Sequence, residues 1–309
     1  MVNKIKFYNN FNISKTHHRS ILLVGNFDGF HLGHQKLFKI AQRYKKKFNL
    51  KIGVVTFEPI PKMYFNKKIK NFRISNLNQK NKIFIKLNVD FVITKKFDRK
   101  FSKVKSNNFI KDILYTKLKP KYIFVSNNFR FGHKREGDVR QLIKNEKIYD
   151  YKIIKPKPLS SKNKVISSTL IRDLLTKGNL SKANNLLKRR WSIEGVVKKG
   201  RQQGKKIGFA TCNIDIKNYV IAMPGVYAVR VYRHNKTSSL KAIANLGYRP
   251  TFKQKKVLLE VHIFNFSGNL YNKHLSVEFI KFIRKEKKFK NINQLKKQIM
   301  SDLKGAKQS

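Results

Sequence analysis

Between Ile21 and Ser126 the chain switches repeatedly between two hydrophobic periods, and that switching leaves few architectures open. Apolar, β-branched runs at Ile21–Phe27, Ile52–Phe57, Val89–Thr94 and Tyr122–Ser126 read as strands. Segments of helical spacing at Gly33–Phe48, Asn76–Leu87 and Ser106–Leu118 lie between them. Ser106 stands where an N-cap would, and Pro120 stops the third segment. Strands separated by helices run parallel, so the expected first domain is an α/β doubly wound parallel sheet with helices on both faces. Ligands of such sheets sit beyond the carboxyl ends of the strands.

After two short helical stretches, Ser168–Thr176 and Leu180–Lys188, the period changes near Lys188–Trp191. Runs at Ile193–Val197, Gly225–Tyr232, Ala242–Leu246, Val257–Phe264 and Leu275–Ile283 follow without intervening helices, which predicts an antiparallel β-barrel or sandwich. An amphipathic segment at Ile292–Leu303 predicts one C-terminal helix. The expected division is residues 1–188 and 189–309.

With 71 Lys and Arg against 16 Asp and Glu, the formal charge is +55. The lysines are spread over helices, strands and loops together with many Asn, Ile and Phe, as codon bias toward A·T would leave them. A dedicated nucleic-acid surface is therefore not expected, although weak salt-sensitive binding is. Met1–Ser20 has no apolar segment, no run reaches membrane-spanning length, and Cys212 is the single cysteine. These features predict a cytoplasmic protein without a disulfide.

The most informative string is Gly25-Asn26-Phe27-Asp28-Gly29-Phe30-His31-Leu32-Gly33-His34. It leaves a strand and opens a helix, where free backbone N–H groups and the helix dipole favour phosphate. His31 and His34, three apart, share one side of the first turn, where their imidazoles can hold phosphate oxygens. Gly33 would let a nucleotide approach the backbone, and Asp28 would order the turn. A histidine pair alone is more often a cap or a solvated face, and no third ligand nearby suits a metal. The whole string resembles the His-x-Gly-His nucleotidyltransferases, and in particular the bacterial flavin adenylyltransferases. Thr56-Phe57-Glu58-Pro59, Asn128-Phe129-Arg130-Phe131-Gly132 with Arg135 and Gly137-Asp138, and Ser167-Ser168-Thr169-Leu170-Ile171-Arg172 extend the likeness in order. Hydroxyls at a helix start with an arginine one turn on can clamp a second phosphate.

The second half carries Gly204-Lys205-Lys206-Ile207-Gly208-Phe209-Ala210-Thr211-Cys212-Asn213. This is neither a Walker loop nor a dinucleotide fingerprint. The run from Gly200 to Gly208 is a basic loop able to cover phosphates, and Thr211 and Asn213 are oxygen donors of the kind Mg²⁺ accepts. With Pro224-Gly225-Val226-Tyr227, Asn245 to Phe252, Leu259-Glu260-Val261-His262, Glu278-Phe279 and Arg284 to Phe289, the series resembles riboflavin kinase. The two halves together resemble the bifunctional riboflavin kinase/FAD synthetase family from about Ser20 to Asp302.

That resemblance implies riboflavin, FMN and ATP as substrates, with Mg²⁺ as cofactor. It implies Glu260 as the kinase base, Thr211 and Asn213 as metal ligands, and Gly204, Lys205 and Gly208 on the kinase phosphates. In the other half it implies His31 and His34 as catalytic, and Gly25, Asn26, Phe27, Asp28, Gly33, Ser168, Thr169 and Arg172 around ATP. Asn128, Phe131 and Arg284 are expected to hold flavin. His262 and Cys212 are expected to be structural. The chain departs from the family at Ala210, usually Pro, at Lys205, usually Arg, at Ile60, often His, and at Ser126, usually Gly. Two other readings fit less of the chain. A nucleotidyltransferase for another acceptor leaves the second half unexplained, and an RNA-binding protein on a former enzyme fold rests on charge alone.

Overall fold

Parallel strands need crossovers, and the helical segments of the first half supply them. In the computed structural model, which describes residues 4–161, 163–200, 208–216, 218–233, 238–250 and 255–307, the chain divides into two compact units. The first comprises Met1–Lys70 and Leu77–Ser167. Its sheet is formed by β1 (Lys6–Tyr8), β2 (Ile21–Val24), β3 (Ile52–Glu58), β4 (Phe91–Lys96), β5 (Tyr122–Phe124) and β8 (Lys152–Ile154), in the order β1-β4-β3-β2-β5-β8. Every pairing is parallel.

Alternate residues of these strands enter two separate cores, which is what a sheet covered on both faces requires. Ile21, Leu23, Val54, Val92 and Phe124 pack with Leu37, Phe38 and Ala41 of α1 (Leu32–Phe48) and Phe84 of α3 (Leu77–Lys86). Leu22, Val24, Val55, Phe91 and Ile123 pack on the other face against Phe109, Ile110, Ile113, Leu114 and Leu118. Those last five lie on a π-helix (Phe109–Leu118) that continues α5 (Ser106–Asn108), where the spacing predicted an α-helix. Buried residues four and five apart suit the wider i→i+5 winding, and the Lys119 amide accordingly donates to the Leu114 carbonyl at 2.7 Å. Ser106 is not the N-cap either: that position is Lys105, and the Ser106 amide donates to Glu136 Oε1 at 2.6 Å. Short helices α2 (Pro61–Phe65), α4 (Arg99–Ser102) and α6 (Val139–Lys144) complete the unit. So do the pairs β6 (Arg130–Phe131) with β7 (Gly137–Asp138) and β9 (Ser160–Ser161) with β10 (Lys164–Val165).

The second unit comprises Asn71–Asn76 and Ser168–Ser309. Six antiparallel strands close a barrel: β11 (Ser192–Lys198), β12 (Cys212–Asp215), β13 (Gly225–Arg233), β14 (Ser239–Pro250), β15 (Lys255–Ile263) and β16 (His274–Lys285), in the order β11-β12-β15-β14-β13-β16. Inward residues such as Ile193, Ile214, Tyr227, Ala244, Leu259, Val261 and Phe279 fill it. Helices α7 (Ser168–Thr176) and α8 (Leu180–Leu187) join this core through Ile171, Leu175, Ala183 and Leu187. Trp191 packs there too, and its indole N–H donates to the Ile74 carbonyl at 3.0 Å. The C-terminal helix α9 (Ile292–Lys307) covers Val226, Ala228 and Ile243 through Ala306 and Leu303. No helix among the described residues is long and apolar enough to cross a membrane.

Candidate functional site

The sequence from Gly25 to His34 forms a turn at the carboxyl end of β2. Gly29 (φ 78°), Phe27 (φ 47°) and Phe30 (φ 41°) all take the left-handed conformation, and only the glycine does so without strain. The two phenylalanines hold the turn from below. Phe27 is 2% exposed and Phe30 5%, and both pack edge-on against Phe38. Phe27 therefore meets a ligand through its backbone at most, since its ring belongs to the core. The Gly25 amide donates to the Val55 carbonyl at 3.0 Å, which fastens the turn to β3.

His31 is the N-cap of α1, and its ring stacks on His34 with centroids 3.9 Å apart and planes 24° from parallel. The pair thus forms one face at the tip of a seventeen-residue helix. Gly33 is closely confined by its neighbours. A Cβ there would lie 3.1 Å from the His31 ring and 3.2 Å from the Ile166 carbonyl oxygen, so the glycine makes room for the histidine. Asp28 is buried beside the turn. The Asn26 Oδ1 atom is buried with no hydrogen-bond partner among the described residues, a position that a nucleotide hydroxyl or amino group would satisfy.

The expected flavin ligands of the first unit separate. Asn128 is exposed, and its Oδ1 accepts from the Ser126 hydroxyl at 2.9 Å, so the unusual serine orients the amide. Phe131 is instead in the core, 7% exposed, between Phe109 and Phe129. Ile60, where the family often has His, is 4% exposed at the N-terminal end of α2. Ser168 and Thr169 open α7, and Arg172 one turn later donates through Nε to the Phe72 carbonyl at 2.7 Å. Its guanidinium lies 3.6 Å above the Phe72 ring. These three residues belong to the second unit.

In the barrel, register brings together groups that the sequence scatters. Asn213 of β12 lies directly opposite Glu260 of β15, and Glu260 lies directly opposite Asn245 of β14. Side chains paired in this way share a face of the sheet. Ile214, Leu259 and Val261 point inward, so the Asn213–Glu260–Asn245 row lies on the outer wall. Asn213 is 7% exposed and its Oδ1 has no hydrogen-bond partner among the described residues. Thr211 is half-buried just before it. A buried, unsatisfied amide oxygen paired across the ladder with a carboxylate, with a threonine two residues earlier in the chain, suits a hard cation such as Mg²⁺, so the residues present fit that ion. Gly200 packs against this amide: an added Cβ would come within 2.8 Å of Asn213 Cγ.

His262 Nδ1–H donates to the Ala210 carbonyl at 2.8 Å, which pins the backbone just ahead of Thr211 where the family's proline is missing. Cys212 faces the barrel interior, and burial pushes its thiol pKa up, as suits a structural cysteine. Arg284 is committed to an ion pair with Asp302 of α9, with Nε and Nη2 contacts of 2.7–3.0 Å, while Nη1 donates to the Lys285 carbonyl. Gly208 takes φ 90°, and no atom of the described residues lies within 4 Å of where its Cβ would be; Gly204 and Lys205 lie outside the described residues. Lys80, which the sequence did not single out, is 1% exposed and donates to the Asn26 carbonyl and the Thr56 hydroxyl.

The FAD synthetase family model matches residues 13–170, and the riboflavin kinase model matches residues 187–309. The bifunctional riboflavin kinase/FMN adenylyltransferase of Buchnera aphidicola subsp. Schizaphis graminum is 38% identical over 94% of this chain and 94% of its own length. That of Escherichia coli K12 is 36% identical over 91% and 90%. A crystal structure from Streptococcus pneumoniae, titled as a macrolide-efflux protein, superposes with a TM-score of 0.83 at 26% identity, covering 97% of this chain and 98% of the other. With both domains present in the same order and such relatives matched nearly end to end, the chain belongs to the bifunctional riboflavin kinase/FMN adenylyltransferase family.

Proposed function

We propose that the barrel transfers the γ-phosphoryl group of ATP to the terminal ribityl hydroxyl of riboflavin. The hydroxyl oxygen forms the new P–O bond, its proton passes to the Glu260 carboxylate, and ADP leaves. The observation that carries this reading is the Asn213–Glu260–Asn245 row, which sets a carboxylate beside an unsatisfied buried amide oxygen. Thr211 and Asn213 are the residues that would hold Mg²⁺, which when bound offsets the charge of the phosphates. Gly204, Lys205 and Gly208 are assigned to the phosphates and Arg284 to the flavin end. The latter role requires part of its guanidinium to serve beyond the Asp302 pair.

The N-terminal domain then adenylylates FMN. A phosphate oxygen of FMN attacks the α-phosphorus of a second ATP, the bond to the β-phosphate bridge breaks, and pyrophosphate leaves. FMN phosphate is already ionised, so no strong base is needed and positioning with charge stabilisation dominates. His31 and His34, stacked at the tip of α1, are assigned to the triphosphate together with Gly25, Asn26, Phe27, Asp28 and Gly33. Ser168, Thr169 and Arg172 are assigned to ATP phosphate, and Asn128 and Phe131 to the flavin. The functional boundary is placed at residue 188. The purified chain, incubated with riboflavin, ATP and Mg²⁺ and resolved by chromatography, should yield FMN first and FAD later. Absence of both products across a range of ionic strengths would refute the assignment.

A further inference from the structure

Lys80 begins the second turn of an otherwise ordinary surface helix, yet 1% of it is exposed. Burying an ammonium is costly where a methionine of similar length would pack without desolvation. Its position makes the cost intelligible. Nζ lies 3.3 Å from the Asn26 carbonyl oxygen and 3.3 Å from Thr56 Oγ1. The Thr56 hydroxyl, itself fully buried, lies 3.4 Å from the same carbonyl. The three groups close a triangle that joins α3, the last residues of β3 and the Asn26–Phe27 peptide of the Gly25–His34 turn. The side chain springing from that peptide ends in the buried Asn26 oxygen that lacks a partner among the described residues.

We propose that Lys80 is a positioning residue for adenylyl transfer: it clamps the Asn26 carbonyl to Thr56 and sets a fixed positive charge behind the turn that receives the nucleoside triphosphate. The inference rests on the first unit being the FMN adenylyltransferase. A charge in low dielectric is screened little, so the phosphates and the departing pyrophosphate feel it without contact. The clamp also keeps the turn from reorganising as charge moves onto the leaving group.

The test compares Lys80→Met and Thr56→Val with wild type. FMN adenylylation and riboflavin phosphorylation are measured on the same preparations, alongside thermal melting. Lys80→Met is expected to lower kcat for FAD formation about 10- to 100-fold while KM for FMN stays within about threefold. Riboflavin phosphorylation is expected to be unchanged. Thr56→Val keeps the shape of the side chain and removes the bridging hydroxyl, and is expected to lower the same kcat about three- to tenfold. It carries the test should Lys80→Met fail to fold. A folded Lys80→Met with FAD formation within twofold of wild type would overturn the proposal. So would a Thr56→Val variant whose melting temperature falls while its kcat does not. Wild-type chain that phosphorylates riboflavin but never makes FAD would instead sink the adenylyltransferase reading itself.

Discussion

Gly200→Ala separates function from stability in the barrel. The new Cβ would approach Asn213 Cγ to 2.8 Å, well inside van der Waals contact, and the amide nitrogen more closely still. The atoms in the way are the end of a side chain rather than backbone, so the amide can swing aside. That rearrangement should cost about 1 kcal/mol, at the low end of overpacking, and lower Tm by roughly 2–4 °C. On the proposal that this oxygen helps hold Mg²⁺, swinging it away from Glu260 costs about 10- to 100-fold in activity. Riboflavin phosphorylation, followed by separating FMN from riboflavin, should therefore fall by that factor, while conversion of supplied FMN to FAD holds steady. A Gly200→Ala protein that phosphorylates riboflavin within twofold of wild type would refute the reasoning that Asn213 must point where it does.

Other substitutions and conditions give further checks. Asp302→Ala leaves Arg284, only 16% exposed in its side chain, without its carboxylate, at a cost of about 3–5 kcal/mol. Melting of the barrel unit should drop by roughly 10 °C, and a change under about 2 °C would show that the pair is not structural. Acid should weaken the first unit. The His17 imidazole is held below its usual pKa by burial first and Lys51 second, and His18 is shifted the same way. The unfolded chain then takes up the proton more readily, so this stability is present above about pH 6.5 and is lost as pH falls below it. Melting followed from pH 7.5 to 5.0 should decline, and His17→Phe should flatten the decline. An identical slope in the variant would contradict this.

The long strands and the change of period near Trp191 are readable because they carry hydrophobic patterns strong enough to stand out in a lysine-rich chain. Strands β1 and β8 escape because each has three residues, one of them lysine, and their strand character comes from pairing with β4 and β5. Strand β12 hides within a motif that reads as a loop. At the Gly25–His34 turn, His31 and His34 are neighbours by spacing alone, but the close approach of Gly33 to the His31 ring emerges only from the fold. The Asn213–Glu260–Asn245 row depends on barrel register, which no local pattern encodes. Lys80 is invisible for a different reason. Among 71 basic residues one lysine carries no signal until its burial is known.

The division of labour is tested most directly by two variants assayed on both substrates. Glu260→Ala should lose riboflavin phosphorylation by about 100-fold or more and still turn supplied FMN into FAD. His31→Ala should make FMN normally and fail to make FAD. Loss of both activities in either variant, with the protein still folded, would contradict the account of two separate sites.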